Sequence, residues 1–177
     1  MLQQSGTVQY VCKDLRIHDK AISTCTWSGG GKYLGVCFQD KQSRICQLEP
    51  SGIVRSIQTV PSSNSVRKIV WNPLDNQRFA IAGFDKFIEL WDVRAPRPTS
   101  KISCPTDNVD ASWSPDGSYI AVGNYGNQLC VFDTRETKMV KKMQLLYEVS
   151  YQELICGRSV TCLRTSVYAR DDSCCCK

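Results

Sequence analysis

Apolar and polar positions along the chain fall into short runs separated by turn residues, and the same order of runs returns three times. The segments "ISTCTW", "VRKIVW" and "VDASW" each end in a tryptophan, at Trp27, Trp71 and Trp113. A turn follows, then a run of apolar or small residues: "YLGVCF", "FAIAGF" and "YIAVG". A third run closes each unit, as "SRICQLE", "FIELWDVR" and "QLCVFDTR". Runs of this length, rich in β-branched and aromatic residues and bounded by turn formers, predict β-strands. The second runs are nearly continuous in apolar residues, which predicts strands covered on both faces. Polar runs with scattered Lys and Arg, "GIVRSIQTV", "PTSKIS" and "TKMVKKMQL", predict a fourth, outer strand guarding an exposed edge.

The turns have their own chemistry. In Ser114-Pro115-Asp116-Gly117 the proline presets φ for the first central position of a type I turn, and glycine suits its end. Gly29-Gly30-Gly31 and Asn72-Pro73-Leu74-Asp75 fill the matching places. Four short antiparallel strands per unit of roughly 40–45 residues make the blade of a β-propeller. The predicted fold is therefore all-β, with about three four-stranded blades.

The closing Trp91-Asp92, its variant Phe132-Asp133 and the "SPDG" turn resemble the WD-repeat proteins. That resemblance implies a set of structural positions: His18, Trp27, Asp40, Trp71, Asp85, Trp91, Asp92, Trp113, Phe132 and Asp133. It implies that Asp40 and Asp85, each six residues before its unit's closing position, organise the turn before the third strand. His18 fits the histidine of the first unit, and the closing Trp completes a hydrogen-bond network and packs between blades. The match has gaps: Cys46 replaces the closing Trp of the first unit, and Gly126 or Asn127 replaces the turn Asp of the third.

The resemblance covers roughly residues 8 to 151. It places blades around 8–49, 53–94 and 99–135, with the start of a fourth at 138–151. After Tyr147-Glu148-Val149-Ser150 the periodicity stops, and 152–177 reads as a non-repeat tail. Three blades do not close a ring. The expectation is of an incomplete propeller, through truncation, a retained intron or a gene-model error, with the tail disordered or an artefact.

Within the family, "DNQRFAIAGFDKFIELWDVR", "WSPDGSYIAVGN" and "YEVS" look similar to the THO complex subunit 3 group. That implies a non-catalytic nuclear scaffold in messenger RNA processing and export coupled to transcription. Its partners would be the other subunits of a THO-type complex, with any RNA association indirect. Trp91-Asp92-Val93-Arg94 also fits the WD-x-Arg pattern of substrate receptors of cullin-type ubiquitin ligases. Arg94 is there a candidate partner contact; its other reading is a solvated turn residue.

Composition narrows the chemistry. Hydrophobic content of 42% is that of a globular chain, and +5 net charge (22 Lys+Arg against 17 Asp+Glu) is a mild, scattered basic bias. The N-terminus lacks the basic and apolar regions of a signal peptide, and no apolar run reaches membrane-helix length. A soluble, intracellular protein without membrane contact is expected. Eleven cysteines without a Cys-x-x-Cys pair, beside a single histidine, argue for reduced thiols and against a zinc site.

No constellation points to catalysis, a cofactor, a metal or a small-molecule substrate. Ser28-Gly29-Gly30-Gly31-Lys32 lacks the spacing of a phosphate loop and falls where the other units turn. His18, Asp40 and Asp85 lack a nucleophile held by a base and a third group. Lys138, Lys141 and Lys142 have no accompanying aromatic set for nucleic-acid stacking and read as a solvated edge. The terminal "SCCCK" lies past the last recognisable strand.

Overall fold

A computed structural model describes residues 21–39, 41–49, 54–62 and 64–145, together with the strands at 154–156 and 163–165. Three four-stranded antiparallel sheets follow one another along the chain. The first comprises β1 (Ile22–Trp27), β2 (Tyr33–Phe38), β3 (Gln42–Leu48) and β4 (Val54–Pro61). The second comprises β5 (Val66–Trp71), β6 (Arg78–Gly83), β7 (Phe87–Asp92) and β8 (Ser100–Ser103). The third comprises β9 (Asn108–Trp113), β10 (Tyr119–Asn124), β11 (Gln128–Asp133) and β12 (Lys138–Gln144). Each is an up-and-down meander in sequence order, and the three stack as propeller blades whose ring is not closed. No helix occurs among the described residues.

Burial follows the character of each run. β6 and β10 are buried at five of six positions, as expected of strands sandwiched between neighbouring blades. β12 is exposed at all but one position, as its lysines predict. Lys138–Gln144, which lies both in the predicted outer run "TKMVKKMQL" and in the 138–151 segment assigned to a fourth unit, pairs with β11 as the outer strand of the third sheet. Within 152–177, read as non-repeat, β13 (Leu154–Cys156) and β14 (Leu163–Thr165) form an antiparallel pair, with β13 beside β9 and β10.

Two apolar clusters hold the blades together. Between the first and second, Tyr33, Ile45 and Val60 meet Trp71, Phe79 and Trp91. Between the second and third, Ala80, Ile88 and Ile102 meet Trp113, Ile120 and Phe132. The strand-end tryptophans add a directional bond. The Trp71 indole N–H donates to the Thr26 carbonyl at 3.1 Å, and Trp113 donates to Val70 at 3.3 Å. Each acceptor immediately precedes the tryptophan of the preceding blade. Satisfying the indole N–H while burying its ring is what permits so large a side chain at the seam.

Candidate interaction surface

Because the sheets are meanders, their turns fall into two sets at opposite ends of the blades. The first set holds the turns after β1, β5 and β9 and those after β3, β7 and β11. Ser28 and Ser114 organise two of them alike: each backbone carbonyl accepts from the glycine three residues on, and each hydroxyl accepts from a tyrosine N–H five residues on. Gly31 and Gly117 both sit at φ +68, where a glycine avoids the Cβ clash. Adjacent turns touch: the Asn76 amide oxygen accepts from Gly30 N at 2.7 Å, and Asn72 packs against Gly117.

The closing Asp92 belongs to this end. Its carboxylate accepts from Arg94 N at 2.9 Å and from Arg94 Nε and Nη2 at 2.8 and 2.6 Å. The guanidinium beside it holds the Asp92 carboxyl below the usual carboxylate range. Arg94 is thus closed onto its own turn. Asp133 lies at the same place in the third blade and accepts from the backbone N–H of Arg135 and Glu136. Those two donors lower its pKa. A cavity of about 410 Å³ opens here between the second and third blades, with Leu90 and Trp113 in its wall and Asp92, Asp116 and Arg135 among its lining. Its three acids are bound within their own turns: Asp75 by Gln77 N and Arg78, Asp92 by Arg94, and Asp116 by Ser114 and Ser118.

The other end carries the turns after β2, β6 and β10. Lys41, Lys86 and Asn127 occupy the left-handed region at the same offset in all three. Asp85 accepts from Phe87 N at 3.3 Å within its turn. Phe84 and Tyr125, each two residues before a left-handed residue, stack across the seam at 5.5 Å. Arg67 at the start of β5 joins them, its guanidinium 4.5 Å over Phe84 and its Nη2 donating to the Tyr125 hydroxyl at 2.9 Å. Deeper in the same seam, Lys68 pairs with the buried Asp110 at 3.3 Å.

His18 and Asp40 lie outside the described residues. Trp71, Trp91, Trp113 and Phe132 are buried at the blade seams, whereas Trp27, at the strand position of Trp71 and Trp113, is 49% exposed. The Trp91 indole N–H donates to Glu89 at 3.2 Å, two residues back on its own strand. Asp85 and Asp92 sit at opposite ends of β7 and do not converge. Among the described residues no group of His, Cys, Asp and Glu is arranged to hold a metal. The sequence reading missed Arg67, Phe84 and Tyr125. The shared offset of the two aromatics was visible in the repeat, but the arginine that links them has no counterpart in the other blades.

A family model described as eukaryotic translation initiation factor eIF2A matches residues 17–174. THO complex subunit 3 of Arabidopsis thaliana is 29% identical over 135 residues, covering 75% of this chain and 43% of that protein. WD repeat-containing protein AAC3 of Dictyostelium discoideum is 26% identical over 161 residues, covering 80% and 33% respectively. The chain therefore spans less than half the length of these relatives. The WD40 domain of Toxoplasma gondii coronin shares the fold, with a TM-score of 0.65 at 22% identity over 71% of this chain and 34% of that one.

Proposed function

We propose, since the chain belongs to the WD-repeat family matched by the eukaryotic translation initiation factor eIF2A model, that it works as a subunit of a THO-type complex. WD-repeat proteins of this kind are typically non-catalytic scaffolds that mediate protein–protein contacts. The role would lie in the nucleus, in messenger RNA processing and export, with RNA held through partner subunits. The observation that carries this reading is the similarity to THO complex subunit 3 across three quarters of the chain. The geometry supports a platform: rigid sheets fix two sets of turns, and the turn carboxylates of Asp75, Asp85, Asp92, Asp116 and Asp133 accept from backbone N–H groups of their own turns.

The family model's own description favours a second reading, a scaffold in translation initiation. The ubiquitin-ligase reading rests on Arg94, whose guanidinium is bound at both Nε and Nη2 by Asp92 while its side chain stays 67% exposed, and no comparison favours it. Affinity purification of the tagged protein from nuclear and cytoplasmic extracts, with and without RNase, tests the assignment. RNase-resistant recovery of THO subunits is expected. Recovery of initiation factors, or of cullin adaptors without THO subunits, overturns it.

A further inference from the structure

The Arg67–Phe84–Tyr125 cluster is built as a contact point, and turn formation does not account for it. Backbone bonds place both rings: Phe84 N donates to Ser65 O at 3.2 Å, the Asn64 amide donates to Phe84 O at 2.9 Å, and Tyr125 N donates to Asp107 O at 3.0 Å. Phe84 covers one side of Tyr125 and is itself covered by Arg67. Tyr125 nevertheless remains 51% exposed, as one of few large aromatic surfaces open to solvent among the described residues. A ring so fixed loses little entropy when a partner packs on it, which is the property of an interface anchor.

We propose that this cluster docks a protein segment presenting a carboxylate beside an apolar or planar side chain. The Tyr125 oxygen already accepts a hydrogen bond from a cation, so its own proton is left to donate outward. A hydroxyl placed in series between a guanidinium and an outer acceptor is polarised by both, and the arrangement is strongest when that acceptor is an anion. The Arg67 guanidinium, 2.9 Å from the Tyr125 oxygen, sets a positive charge directly behind the hydroxyl. The free ring face takes the apolar or planar neighbour. The site goes beyond the THO-type reading and holds for a scaffold of any complex.

The test selects a random-peptide display library on the 177-residue chain, in parallel with the Tyr125→Phe and Tyr125→Ala variants. Enriched peptides should carry Asp or Glu next to an apolar or aromatic residue. Tyr125→Phe keeps the ring and removes only the hydroxyl, so affinity for an enriched peptide should fall about tenfold, the size of one charge-assisted hydrogen bond. Tyr125→Ala should weaken it further, with the far-ultraviolet spectrum of both variants unchanged. Enrichment of basic or uncharged peptides, no enrichment, or acidic peptides indifferent to Tyr125→Phe overturns the proposal. So does oligouridylate binding that is lost in Tyr125→Phe while acidic peptides go unbound, because the ring would then be a single-strand RNA platform.

Discussion

Trp27 and Trp71 occupy the same position of successive blades but sit in different surroundings, and truncating each in turn separates intrinsic strand preference from seam packing. Trp71 is 8% exposed, stacks on Tyr33 at 6.0 Å and meets the Phe79 ring at a tilt at 5.2 Å, with its N–H on Thr26. A buried aromatic removes about 200 Å² from water, worth about 5 kcal/mol at roughly 25 cal/mol per Å². Aromatic-to-alanine truncation in a core costs about 3–5 kcal/mol. Removing the indole also leaves the Thr26 carbonyl without its donor, about 1 kcal/mol more. Trp27 is 49% exposed, so its truncation should cost no more than about half as much, roughly 2 kcal/mol. Urea unfolding followed by far-ultraviolet circular dichroism gives both values, because that signal does not depend on the deleted fluorophore. Blade arrays need not unfold in one step, so midpoints should be compared only where the slopes agree. Equal losses for Trp27→Ala and Trp71→Ala, or a loss under about 1 kcal/mol for Trp71→Ala, would refute the seam-packing argument.

Gly31→Ala and Gly117→Ala impose the same left-handed strain, but only the second places a Cβ 2.9 Å from the Asn72 side chain. Each should lose about 1 kcal/mol from the backbone, with a further loss at Gly117 that Asn72→Ala relieves in a double-mutant cycle. The Asp92 pKa is lowered in the fold, chiefly by the Arg94 side chain, so its stabilisation is present above the unfolded carboxylate pKa and is lost as pH falls through the folded one. Melting temperature in the acid range should therefore fall more steeply for the native chain than for Arg94→Gln, and parallel curves would exclude the pair as a pH-linked contributor. Burial pushes the Cys37 and Cys104 thiols up to about 12, whereas Cys25 is exposed. Iodoacetamide at mildly alkaline pH, read by peptide mass spectrometry, should alkylate Cys25 first and the other two only after unfolding.

The sequence by itself determined the repeating unit, its four strands and its turns, because these depend on local chemistry. Strand runs, proline and glycine placement and the polar outer edge are legible within a few residues, and Ser114-Pro115-Asp116-Gly117 folds as its residues require. What lay beyond it was pairing across the seams. A strand such as β6, apolar on both faces, carries no alternation to say which face meets which blade. Only stacking places Arg67 against Tyr125, 58 residues away, and sets the Trp113 indole on Val70. Stacking likewise leaves Trp27 open while burying Trp71. The pairing of Arg94 was equally hidden, since a WD-x-Arg run reads the same whether or not the guanidinium binds Asp92. Local propensity shapes a blade, and the neighbouring blade decides which of its side chains remain free to act.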